Sequence, residues 1–229
     1  MAHATWSSRF VLSILLCAAA FIEGCQEGVV TFTGGTAYVR LFNAQTKTDA
    51  VTLFADSVRR IELLPPGMAS SAITVPSGTY VLLDVRSASD TAQRIASQRY
   101  VMADGQSYTI IVRGRTITDF FRPIVDTAQS PFAGKAAVKI INVSEETFVT
   151  VNANGSPLGL PVVDAQTVLP FTSLEAGTVQ LSVLDADRNV AIGSDSTVVL
   201  EAGQCYYLFV HDYRSGTEVL QRWFLRKVQ

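Results

Sequence analysis

Cysteine and histidine are scarce in this chain, and each scarcity removes a class of chemistry. Of three cysteines, Cys17 and Cys25 fall within or just after an apolar N-terminal run, which leaves Cys205 alone in the rest of the chain. No internal disulfide can then form, and the fold must rest on its packed cores. Beyond the N-terminal stretch the one histidine is His211, and a single imidazole with a single thiol cannot close a four-ligand zinc site. His211 is followed by Asp212, but neighbours on a strand point to opposite faces, so the pair cannot act as a base and its orienting carboxylate. A nucleophile elbow, a phosphate cradle and a dinucleotide fingerprint are all missing. Asp185 to Asn189 imitates the opening of a calcium loop, yet Val190 stands where that loop needs Gly and Ser196 where it needs Glu. The eighteen basic and twenty acidic residues leave a formal charge of −2, and no basic block offers a track for nucleic acid. No catalytic residue, metal site or cofactor is nominated, and the expectation is a protein that is not an enzyme.

What is present is strand-forming sequence, repeated. Hydrophobic residues make up 48% of the chain and charged residues 17%, with short runs of Val, Ile, Leu, Thr and aromatic residues between Gly, Pro and Asn breakers. Long helical periodicity is missing, so the spacing predicts an all-β sandwich architecture. Two stretches 98 residues apart organise it, Val101 to Tyr108 and Val199 to Tyr206. Each reads as strand, tight turn, strand, with Gly105 or Gly203 at the bend and Tyr108 or Tyr206 opening the next strand as a latch that returns its hydroxyl to nearby backbone. Ala37 to Asn43 matches Ala136 to Asn142, Val51 to Ser57 matches Val149 to Gly155, and Ser77 to Leu82 matches Ala176 to Leu181, at offsets of 98 or 99. Asp119 to Arg122 resembles Arg222 to Leu225 at 103. Matches in one order at nearly constant offset imply an internal duplication.

The division that follows is a signal segment at 1–24, a tether at 25–35, a first sandwich at 36–125, a linker at 126–135 and a second sandwich at 136–229. About seven strands are expected in each copy. Tyr108, Ile110 and Val112 share a core face, as do Tyr206, Leu208 and Val210. The opposite face of the second set, Cys205, Tyr207, Phe209 and His211, is too apolar for open water, so another element should cover it.

Phe10 to Ile22, preceded by Arg9, has the length of a signal-peptide core and is too short to span a bilayer. Ile22 to Cys25 resembles a bacterial lipoprotein signal, in which the Cys receives lipid and becomes the mature N-terminus, although Glu23 departs from that pattern. The rival is ordinary cleavage after Ala18 to Ala20, leaving a soluble secreted protein. With Cys25 lipidated, acyl chains at about 0.8 kcal/mol per buried methylene would hold the protein on a membrane. The expected place is the cell envelope, on the outer membrane if the source is diderm, facing periplasm or exterior.

The runs Ala37 to Ala44, Val51 to Ser57, Val75 to Tyr80 and Gly105 to Ile111 resemble the family catalogued as domain of unknown function 4397. That resemblance implies extracytoplasmic bacterial proteins, often tandem and often lipoproteins, built as immunoglobulin-like sandwiches, with no established activity to transfer. The second copy fits less well, lacking Pro and Tyr at Leu174 to Val179. One hint of recognition remains in the aromatic pairs Phe120, Phe121 and Trp223, Phe224. Adjacent strand residues cannot all face one core, so these rings either seal a domain interface or form a stacking surface for sugar or peptide. Two functions follow: a lipid-anchored envelope protein that is structural, adhesive or binding, with envelope proteins or glycans as partners, or a secreted carbohydrate-binding module using those rings.

Overall fold

The computed structural model describes residues 34–45, 50–113, 121–126, 133–159, 162–215 and 218–228. Cys25, Phe120 and Phe132 lie outside them, as do the signal segment, most of the tether and much of the linker; of Phe121 the backbone alone is described. Among the described residues all regular structure is strand, as alternating apolar residues between turn formers require.

The first sandwich comprises β1 (Thr36–Asn43), β2 (Val51–Ala55), β3 (Val58–Leu64), β4 (Ile73–Pro76), β5 (Tyr80–Ser87), β6 (Arg94–Val101), β7 (Ser107–Val112) and β8 (Phe121–Val125). One sheet runs β4-β1-β7-β8 and the other β3-β2-β5-β6. The second sandwich comprises β9 (Lys135–Asn142), β10 (Val149–Ala153), β11 (Ser156–Pro157), β12 (Thr167–Glu175), β13 (Gly177–Asp185), β14 (Val190–Ala191), β15 (Ser196–Leu200), β16 (Cys205–Ser215) and β17 (Glu218–Lys227). Its sheets are β12-β9-β16-β17 and β11-β10-β13, with β14 and β15 both paired to β13. The strand orders of the two halves correspond, including parallel pairing of β1 with β7 and of β9 with β16.

The counts exceed the seven expected because each half adds a closing strand, β8 or β17, to its hairpin, and the second adds the two-residue β14. That addition comes from the Asp185 turn, where Asp185 Oδ1 accepts the Asp187 and Arg188 N–H groups, each at 3.0 Å. The closing strands also correct the sequence alignment. Phe121 lies opposite Val112 and Trp223 opposite Val210, so Phe121 corresponds to Trp223, one residue away from the offset of 103. A one-residue slip exchanges the faces, and the sequence signal there was two aromatics in a row, which cannot say which of them points inward.

Three apolar layers hold these sheets. Val39, Leu41, Leu53, Leu83, Val85 and Ile110 lead the core between the first two sheets. Val138, Ile140, Val151, Leu181, Leu208 and Val210 lead that of the second sandwich. A third layer joins Phe42, Ile111 and Ile124 of the first sandwich to Ile141, Tyr207 and Phe209 of the second. The sheets β4-β1-β7-β8 and β12-β9-β16-β17 are therefore buried on both faces, and the other two lie outermost. The strand that carries Phe42 on the seam face puts Val39 and Leu41 on the core face, the period-two reading of one continuous apolar run.

Asn43 and Asn142 close β1 and β9 in the same way. Each is fully buried, and each Oδ1 accepts the N–H two residues on, from Gln45 and Ser144, both at 3.2 Å. The Asn142 amide donates to Thr147, Val163 and Asp164 carbonyls at 2.9 to 3.2 Å. This Asn therefore pins two loops to a strand end, although with Ser144 it satisfies a glycosylation triplet.

Candidate functional site

The two corners are built alike. Gly105 and Gly203 take φ of +69° and +77°, where a β-carbon would be strained. Beyond each bend the Tyr108 hydroxyl accepts the Ala103 N–H and the Tyr206 hydroxyl the Glu201 N–H, both at 2.9 Å. These contacts place β7 and β16, and so the residues that the two strands turn toward the seam.

At the seam, Phe42 and Phe209 meet with ring centroids 4.7 Å apart, and Phe224 stacks on Phe209 at 5.1 Å. The face from Cys205 to His211 is thus covered by the first sandwich. Polar groups are enclosed with the rings. Asp126 Oδ1 accepts the Tyr207 hydroxyl at 2.7 Å, its Oδ2 accepts the Thr109 hydroxyl at 2.9 Å, and Arg40 stands 3.7 Å away. Arg113 donates across the seam to the Ser144 carbonyl at 3.1 Å and Arg226 to the Ser70 carbonyl at 3.3 Å. Burial pushes the Asp126 carboxyl above its usual range, a shift the two hydroxyls and Arg40 oppose. Burial likewise raises the Tyr207 phenol and the Cys205 thiol and lowers the Lys139 amine. A thiol with a raised pKa is mostly protonated and a poor nucleophile, and the Lys139 ammonium sits 4.4 Å from the Phe171 ring centroid. Tyr207 with Asp126, Arg113 with Ser144 and Arg226 with Ser70 tie the two sandwiches to each other.

His211 is 1% exposed, with Nδ1 at 2.8 Å from the Asp212 carbonyl. Its ring meets Phe42 and Phe224 edge-on, at 5.5 and 5.9 Å, and burial lowers its pKa. The Asp212 carboxylate turns the other way. Its Oδ2 accepts the Glu145 N–H at 2.7 Å and its Oδ1 accepts Gln221 at 3.1 Å, on the wall of a cleft of about 440 Å³ shared with Glu146, Asp187 and Arg188. Among the described residues no group of three or more His, Cys, Asp or Glu side chains could hold a metal ion.

The aromatic candidates separate. Phe224 packs into the seam and Trp223, on the other face of β17, packs against the second core, its ring 3.7 Å from where a Gly193 side chain would stand. Both rings are half-buried and already occupied by protein; Phe120 and the Phe121 ring lie outside the described residues. What sequence reasoning missed is the enclosed Asp126 cluster. It assigned Asp126 to the linker, and the signal available was only a hydroxyl, Thr109 and Tyr207, at the same position of the two matching strands.

Two immunoglobulin-like β-sandwiches joined through an apolar seam define the class of this chain. Within it, residues 37–148 match the family described as "Domain of unknown function (DUF4397)", a stretch that spans β1 to β9. No curated protein matches the chain. Among solved structures, one overlap is with the carbohydrate-binding module CBMbc (family CBM26) of Eubacterium rectale Amy13K in complex with maltoheptaose. It has a TM-score of 0.23 at 7% identity and covers 85% of this chain and 97% of that one. Another is with a protein of Bacteroides eggerthii described as a putative cell adhesion protein, with a TM-score of 0.18 at 10% identity, covering 85% and 96%. Overlaps of this size carry no argument about what this chain does.

Proposed function

We propose that this chain is a lipid-anchored, non-enzymatic protein of the cell envelope, in which two tandem copies of one family fold act as a single structural, adhesive or binding body. The observation that supports the reading is the seam. A buried aromatic layer with enclosed hydrogen bonds turns two sandwiches into one stiff unit, an arrangement suited to holding a surface at a distance. The acid and the imidazole enclosed there are occupied by structural contacts: Asp126 accepts two hydroxyls and His211 is packed against the Phe42 and Phe224 rings. In this reading Cys25 carries the lipid, residues 26–35 are the tether, and the partners are envelope proteins or glycans.

The test is metabolic labelling with a radioactive fatty acid, comparing the full chain with Cys25→Ala. Label on the first and not on the second is expected, with the protein in the membrane fraction. No incorporation in either removes the anchor and leaves the secreted alternative.

A further inference from the structure

Period-two alternation assigns one face of β2, β3, β5 and β6 to the first core and the other to the outside. On the outward face, sheet pairing sets Arg59 opposite Phe54, Phe54 opposite Asp84 and Asp84 opposite Ser97. The next rows set Arg86 opposite Arg94, Leu82 opposite Arg99, and Tyr80 opposite Val101. Two carboxylates meet arginines of this face: Arg86 Nη2 lies 2.6 Å and Arg94 Nε 2.9 Å from the oxygens of buried Asp84, and the exposed Glu62 of β3 pairs with Arg59 Nε at 2.9 Å. The Arg86 guanidinium also lies over the Phe54 ring, 4.7 Å from its centroid. Arg59, Arg94 and Arg99 are exposed, and Tyr80 is 74% exposed.

The matching outward face of the second sandwich carries none of this charge. There Asn152 lies opposite Ser182, Thr178 opposite Val199 and Gln180 opposite Thr197, in the places that Phe54 and Asp84, Tyr80 and Val101, and Leu82 and Arg99 occupy in the first; sheet pairing aligns β5 with β13 at an offset of 98, which corrects by one residue the sequence match of Ser77 to Leu82 with Ala176 to Leu181. The same backbone frame forms with neutral side chains, so the fold itself does not require the arginines. The surplus follows the same division: residues 34–126 hold ten basic and eight acidic side chains, and residues 127–229 hold seven and ten.

From this we infer that the outward face of β3-β2-β5-β6 binds an anionic polysaccharide, a sugar polymer bearing carboxylate or sulfate groups. Size decides between a polymer and a small anion. Arg94 and Arg99, five residues apart on β6, are separated by about 17 Å at the usual strand rise, and the four strands span about 14 Å. A small anion needs donors that converge on one point, whereas charges spread over such an area meet repeated groups along a chain. Arginine supplies planar forks for carboxylate and sulfate, and the exposed Tyr80 ring offers a flat amphipathic surface of the kind enriched at binding faces. The inference deepens the envelope reading by naming a ligand class, and rests on it only for where such a polymer is met.

The experiment measures retention of the full chain, purified in detergent, by polygalacturonate, dextran sulfate, unsubstituted dextran, phosphatidylglycerol vesicles and duplex DNA, each at low and high salt. Binding to one or both anionic polysaccharides is expected, with none to unsubstituted dextran and loss at high salt. Arg59→Gln with Arg99→Gln, two exposed sites, should weaken it about tenfold with an unchanged unfolding midpoint, while Arg188→Gln in the second sandwich leaves it unaltered. Equal retention on unsubstituted dextran, retention only on vesicles or DNA, no retention at all, or full affinity in the double variant would each overturn the inference. A failure of Cys25 labelling leaves this result standing, and a failure here leaves the anchor standing.

Discussion

Replacing Phe209 by Ala tests whether the seam makes the two sandwiches one cooperative body. Phe209 is 1% exposed and lies between Phe42, Tyr207 and Phe224 at centroid distances of 4.7, 5.9 and 5.1 Å. It belongs to neither sandwich core: Phe42 reaches it from the first sandwich, while Tyr207 and Phe224 pack on it from its own sheet. Truncating a phenylalanine in such surroundings costs about 3 to 5 kcal/mol, because the transfer term is lost and the rings around it cannot all close the gap. At a urea slope of about 2 kcal/mol per molar, that moves the midpoint down by about 2 M. The assay follows Trp223 fluorescence in a Trp6→Phe background, where Trp223 is the sole tryptophan and reports on the second core, together with circular dichroism of all the strands. Coincident transitions are expected in the parent, and Phe209→Ala should lower them and pull the two signals apart. Phe209→Leu, which keeps most of the volume, should cost under about 1.5 kcal/mol. A loss below about 1 kcal/mol in Phe209→Ala, with coincident signals, would refute a seam that couples the halves.

Two other perturbations separate buried from open positions. Tyr206→Phe deprives the part-buried Glu201 N–H of its acceptor and should cost about 1 to 2 kcal/mol, whereas Tyr108→Phe frees the exposed Ala103 N–H, which water can satisfy, and should cost about half as much; equal or reversed losses in denaturant titrations would contradict this. His211 has a folded-state pKa lowered by burial, with the Asp212 carbonyl contact and the nearby Arg222 as smaller influences. Its contribution is therefore fully present above the unfolded pKa of about 6.5 and is lost as pH falls through the lowered folded value, at up to about 1.4 kcal/mol per pH unit. Stability measured from pH 7.5 down to pH 5 should fall less steeply in His211→Asn than in the parent, whatever the variant's absolute stability, and parallel curves would exclude His211 as the titrating group.

What could be read in the sequence was local. Alternation assigned Ile110 and Val112, or Leu208 and Val210, to a core, and the same alternation marked Tyr207 and Phe209 as needing a cover. The identity of that cover was not readable, because Phe42 and Phe209 are separated by more than half the chain and nothing in either neighbourhood refers to the other. The arginines show the same limit from another side. Arg59, Arg86, Arg94 and Arg99 form no block along the chain, and only the pairing of β3, β2, β5 and β6 gathers them on one surface. Closing-strand register was also out of reach, since Phe121 and Trp223 each have an aromatic neighbour and a shift of one residue leaves the pattern apolar.

The parallel pairing of β1 with β7 has a mechanical consequence. Six successive partners, from Tyr38 with Ser107 to Asn43 with Val112, join these strands, and β4 grips the other edge of β1 over Thr36 to Val39. A tug applied where β1 begins runs along the strand axis, so the bonds on its two flanks are sheared together and share the load, instead of opening one after another like a zip.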